Sequence, residues 1–101
     1  MKYLGQWAGF DWDAGNRGKN AAHRVLDDEC EEVFFNLPLL VSSDDAHSTR
    51  ENRYHVLGRT HAGRRLFMAF TTRGAQIRVI SARDMTRNER RVYDEAEKAA
   101  S

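Results

Sequence analysis

Arginines recur through the apolar stretch RRLFMAFTTRGAQIRVISARDMTRNERRVY, residues 64 to 93. A guanidinium is costly to bury, so an arginine inside a strand must face water or a partner. Arg78 and Arg83 therefore read as cations fixed on a rigid sheet, as binding a polyanion requires. Arg53, Arg59, Arg64, Arg65 and Arg73 fall on or beside the same predicted strands. Such a face can hold phosphates while bases stack on Tyr54 or Trp12. Arginine stays protonated and cannot serve as a base, but it can offset charge developing on a pentacoordinate phosphate. RNA carries its own nucleophile, the ribose 2′-hydroxyl, so orientation plus a cation cluster can cleave it without a metal. A general acid or base adds about 10²–10⁴-fold. His23, in the stretch Lys19-Asn20…His23, is the candidate, since histidine ordinarily titrates near neutral pH. The competing reading pairs the arginines with carboxylates. It is the stronger one for any single arginine and the weaker one for the group, because local acids are few.

Other chemistries find little support. There is no nucleotide-binding glycine motif, no Gly-x-Ser-x-Gly and no helical His-Glu-x-x-His. The four histidines, 23, 47, 55 and 61, lack ligand spacing, so neither a metal nor a cofactor is expected. Cys30, the single cysteine, excludes an internal disulfide. Five acids surround it in DDECEEVF; they raise its pKa and favour a half-buried helix position over a nucleophile. No apolar segment approaches a signal peptide or membrane span, which predicts a cytoplasmic protein. Net charge is +1, but residues 1–50 hold 5 Lys/Arg and 9 Asp/Glu, a balance of −4, while residues 51–101 hold 11 and 6, a balance of +5. That asymmetry sets an anion-binding half beside an acidic half.

One domain is expected over residues 1–101. Residues 3–12 predict a strand with Phe10 and Trp12 on one face. Asp13 would cap a weak helix over 14–23. A second helix over 27–35 has acids at its positive end, with Val33 and Phe34 as anchors and Leu26 and Cys30 behind them. Asn36 and Pro38 end it. Leu39–Val41 is a short strand and 42–52 a polar loop. Strands over 53–60, 65–72 and 76–82, joined by the turns HAG and RGAQ, make an antiparallel meander, with LFMAF as a central strand covered on both faces. Thr86-Arg-Asn-Glu89 fits a capping box, opening a helix to about Ala100 with apolar contacts from Met85, Val92 and Ala96. The class is α+β.

These residues also resemble a known family. Phe10-Asp-Trp-Asp13, Gly15-Asn16…Lys19-Asn20…His23-x-Val25 and Glu29-x-Glu31-Glu32-Val33-Phe34-Phe35-Asn36 are similar to the N-terminal half of the BrnT toxins. So are Pro38-Leu-Leu-Val41, Arg53-Tyr54, Leu57-Gly-Arg-Thr60, Gly63-Arg-Arg-Leu-Phe67, Ile77-Arg-Val-Ile-Ser-Ala-Arg-Asp-Met85 and Glu89-Arg90…Tyr93. The resemblance implies a RelE-like fold and a ribonuclease toxin of a type II toxin–antitoxin system that inhibits translation. It implies neutralisation by a BrnA-like ribbon-helix-helix antitoxin in a heterotetramer that contacts operator DNA through the antitoxin. One departure is visible: the family pattern has Lys immediately before the histidine, and this chain has Ala22.

The expectation is thus a metal-independent endoribonuclease. Arg78 and Arg83 contact the scissile phosphate and Arg65 assists. His23 transfers a proton, with Tyr93 as its alternate. Lys19, Arg53, Arg64 and Arg73 bind the RNA. The missing lysine motivates a second reading, a catalytically impaired homologue that only binds RNA or an antitoxin. Direct duplex-DNA binding is disfavoured, because no basic helix is arranged for the major groove.

Overall fold

The computed structural model describes residues 8–100. Five strands form one sheet in the order β1-β5-β4-β3-β2. They are β1 (Gly9–Phe10), β2 (Leu40–Ser43), β3 (Arg53–Arg59), β4 (Arg65–Arg73) and β5 (Gln76–Asp84), with helices α1 (Asp27–Val33) and α2 (Arg87–Ala100). The meander β2-β3-β4-β5 is antiparallel, and β1 adds parallel to β5. The α+β class and the C-terminal helix agree with the sequence.

Alternation along the strands divides the residues between two faces. Val56, Leu66, Met68, Phe70, Ile77, Val79 and Ala82 point to the first face and meet Val33 and Phe34 from the α1 layer. Phe70 stacks on Tyr54 and meets Phe34 edge-on. β4 is buried along its core face, and on the other face Ala69 and Thr71 are buried while Phe67 is half-buried, so the run LFMAF is covered on both faces only in part. At Gly58 a Cβ would lie 2.4 Å from Val33 Cγ1; glycine there lets α1 sit directly on β3. Asn36 Nδ2 donates to the carbonyls of Glu32 and Arg59, tying the free C-terminal end of α1 to the same strand.

The exposed edge of β5 is closed by side chains. β1 covers only Gln76 and Ile77. Beyond it, Asn16 Nδ2 donates to the Val79 carbonyl and Asn20 Oδ1 accepts the Ala82 N–H. The expected helix over 14–23 is therefore a turn followed by a 3₁₀ helix, Lys19–His23. Its asparagines are worth more as plugs for an open strand than as helix formers. Asp13 does not cap it; the carboxylate accepts Gly15 N–H and Arg78.

Other expectations need smaller corrections. Residues 3–7 of the expected first strand lie outside the described residues. The polar loop holds the end of β2 and a 3₁₀ turn, Asp45–His47. Leu26 is 67% exposed and Val92 46%, so neither anchors its helix; Tyr93, fully buried, anchors α2. Cys30 is fully rather than half buried. Burial first, then Asp27, Glu29 and Glu31, push its thiol up to about 12. The capping box is present: Glu89 Oε1 accepts the Thr86 N–H and Thr86 Oγ1 accepts the Glu89 N–H.

Candidate functional site

The second face of the sheet carries the charged side chains. β4 and β5 change register between Ala69 and Phe70, so that Phe70 pairs with Val79 while Ala69 pairs with Ser81. The extra residue, Ile80, reverses the alternation. Arg78, opposite Thr71, and Arg83, opposite Phe67, thus share a face although they lie an odd five positions apart. Their strand partners are four residues apart, which sets the two arginines roughly 13 Å apart along the strand.

They do not converge on one point. Arg78 donates to Asp13 at 2.9 Å and Asp11 at 3.4 Å. Gly15 leaves room for that guanidinium, since a Cβ there would lie 2.8 Å from Arg78 Nη2. Arg83 holds both carboxylate oxygens of Glu89, at 2.8 and 3.1 Å. The other strand arginines are occupied too. Arg65 pairs with Asp94 and Glu97 on α2. Arg59 donates to the Leu37 carbonyl and lies 3.8 Å from Glu97. Arg64 turns to the α1 side, where it bridges Glu29 and Asp84 and donates to the carbonyls of His23 and Arg24. The reading that local acids are too few is therefore wrong: five of the seven strand arginines form ion pairs. Except for Glu89, six residues from Arg83, the acids come from segments remote in sequence. Arg53 and Arg73 form no ion pair among the described residues, and Arg53 Nε is buried without a hydrogen-bond partner.

The expected proton carriers are dispersed. His23 is exposed at the end of the 3₁₀ segment, beside Arg64 and Asp84. Lys19 is exposed at the start of that segment. Tyr93 is fully buried, and its hydroxyl donates to the Pro38 carbonyl at 2.7 Å. Burial, then Glu97, push its phenol above the ordinary range. Tyr93 therefore anchors α2 and presents no proton to a substrate in this conformation. Neither Tyr54 nor Trp12 offers a free ring. Tyr54 stacks on Phe70, and Trp12 donates to Glu31 at 2.7 Å while packing on the core.

A groove of about 510 Å³ runs between this face and α2, lined by Leu40, Ser42, His55, Leu57, Phe67, Glu89 and Val92, among others. Phe67 forms part of its lining. The His55 ring sits 5.0 Å from the Phe67 centroid and the Arg83 guanidinium carbon 4.2 Å from it. Imidazole and guanidinium therefore flank one aromatic ring from the neighbouring strands. His55 Nε2 is 3.0 Å from Asp44 Oδ2, and His47 Nδ1 is 2.9 Å from the same oxygen. Asp44 is 8% exposed. Burial pushes its carboxyl up, but the His47 hydrogen bond and the nearby His47, His55 and Arg53 outweigh this and hold it below the ordinary carboxylate range. On the other side, the Arg83 hydrogen bond, against burial, holds the Glu89 carboxyl low. A histidine oriented by a buried carboxylate can move a proton, and the guanidinium across the ring can bind an anion.

The spacing of the histidines in the sequence, which argues only against a metal site, does not disclose this grouping. The signal was available in part: alternation puts Arg53, His55, Leu57 and Arg59 on one face. Asp44 could not be foreseen as its partner, because the Ser42–His55 pairing of β2 with β3 brings them together.

The family model of the ribonuclease toxin BrnT of type II toxin–antitoxin systems matches residues 12–89. The chain belongs to the BrnT family. No curated protein matches it individually. The BrnT match spans every residue of the groove except Val92, and it includes His55, Asp44, Phe67, Arg83 and Glu89. Family membership brings a ribonuclease activity, an RNA substrate and an antitoxin partner. Among the described residues no helix is long and apolar enough to cross a membrane, and no group of metal-ligating side chains occurs.

Proposed function

We propose that this BrnT-family chain is a metal-independent endoribonuclease with its reaction centre in the groove between the second sheet face and α2. One observation carries the reading: His55, oriented by Asp44, and Arg83 flank the same Phe67 ring. In the proposed reaction the 2′-hydroxyl attacks the adjacent phosphorus and His55 accepts its proton. Arg83 offsets the charge gathered on the phosphate oxygens. The 5′-oxygen departs with a proton from solvent, leaving a cyclic phosphate and a 5′-hydroxyl. Arg83 must exchange its Glu89 contacts for the phosphate. Arg53, Arg73 and Arg78 face or rim the same side and contact flanking phosphates.

The reading carries the finer family expectations as well. They are a RelE-like arrangement in one toxin domain, translation arrest, and a BrnA-like ribbon-helix-helix antitoxin forming a heterotetramer that reaches operator DNA through the antitoxin. The occupied state of Arg65 and Arg78, with alanine at position 22, supports a second reading: an impaired homologue that binds RNA or antitoxin without cleavage.

The deciding experiment incubates the purified chain with RNA in excess chelator. Cleavage should persist and fall by about 10² or more in His55→Ala and by about 10² in Arg83→Ala, with the fold intact. Loss in His23→Ala but not in His55→Ala moves the proton transfer to His23 and defeats this placement. Retention of RNA without cleavage selects the binding-module reading.

A further inference from the structure

α2 carries three arginines at the end where they are least stable. Arg87, Arg90 and Arg91 lie in the first turns of the helix, whose N-terminal end bears positive partial charge. All three are exposed, and none forms an ion pair among the described residues. Arg91 donates to Asn88 on the same helix. Arg90 acts on Asp84 only at longer range, and that carboxylate is held by Arg64. The strand arginines, by contrast, are largely matched with acids. The helix-end amide needs no anion, because Glu89 caps it.

Spacings of three and four residues place the three side chains on one surface of the helix. They line a shallow depression of about 360 Å³ with Asp94, Glu95 and Lys98. Asp94 is taken by Arg65, so the first half of this surface is strongly cationic. It adjoins the groove, since Glu89 and Val92 of the same helix line the groove wall.

We infer that Arg87, Arg90 and Arg91 form a docking track for the phosphate backbone of RNA outside the reaction centre. This rests on the ribonuclease reading and adds to it the place where the strand is held beyond the bond that is cut. Cations that lower the stability of their own helix gain their favourable energy only when a polyanion is bound.

The test replaces all three by glutamine and measures binding of a non-cleavable 2′-O-methyl RNA of about twelve nucleotides. Each lost phosphate contact removes roughly 0.7 from the slope of log affinity against log salt, so the slope should fall by about 2 and affinity by at least about tenfold. The triple lysine variant should restore the slope, and cleavage of a dinucleotide should match the parent. Unchanged affinity and slope in the glutamine variant overturn the inference. So does loss of antitoxin binding with RNA affinity intact, which would make the surface a protein interface. If the parent cleaves no RNA yet the slope still falls, the track stands and the ribonuclease reading fails.

Discussion

The contact between Gly58 and Val33 can be tested with one added methyl group. A Cβ at position 58 would lie 2.4 Å from Val33 Cγ1, 3.6 Å from Val33 Cβ and 3.4 Å from Leu39 Cδ1. Val33 is fully buried on α1, and a β-branched residue in a helix has essentially one χ1 rotamer, so it cannot turn aside. Gly58→Ala must push α1 off β3. Overpacking of this kind costs about 1–3 kcal/mol. The residue has no left-handed backbone, so alanine recovers roughly 0.4–1 kcal/mol through the unfolded state. The net loss should be about 1–2 kcal/mol. Val33→Ala alone removes two buried methyl groups, about 1.6 kcal/mol before any cavity cost. In the double variant the new methyl enters the space Val33 vacates, so the combined loss should fall short of the sum by at least about 1 kcal/mol. Urea denaturation at constant m-value measures all three. A single variant within about 0.5 kcal/mol of the parent, or strict additivity, refutes the seating of α1 on Gly58. The result bears on function because Asn36 joins the end of α1 to β3, the strand that carries His55.

Glu89→Gln should retain the helix cap, since glutamine also completes a capping box, while releasing Arg83. Fluorescence anisotropy should then show RNA binding a few-fold tighter, the scale of a partly exposed ion pair. Asn20→Ala removes the acceptor for the Ala82 N–H and should cost about 1–3 kcal/mol, read as a lower urea midpoint. Acid should destabilise the fold. The Asp84 and Glu89 carboxyls are held low by Arg64 and Arg83, so their contribution is present above the ordinary carboxylate range and lost as pH falls through the lowered values. Thermal melts should be flat from pH 7 to about 5 and drop below about 4, and a melt insensitive to acid would contradict these pairs. Cys30, buried with its thiol pushed up to about 12, should resist a thiol reagent at pH 8 until urea unfolds the chain.

Local sequence determined the elements of this protein. The apolar alternation of residues 53–59, 65–73 and 76–84, the turns between them and the Thr86…Glu89 cap depend on neighbours a few residues away, so they could be read directly. The family was legible in the same way, from short blocks of residues. The state of each charged group was not. Whether Arg78 is free or paired depends on Asp11 and Asp13, and its face relative to Arg83 depends on one extra residue at Ile80. A helical reading of 14–23 failed because Asn16 and Asn20 answer an open strand edge more than sixty residues away. His55 acquired Asp44 only when β2 paired with β3. Backbone preference is a local property, whereas electrostatic pairing is settled by distances of a few ångströms between segments that only the folded sheet brings together.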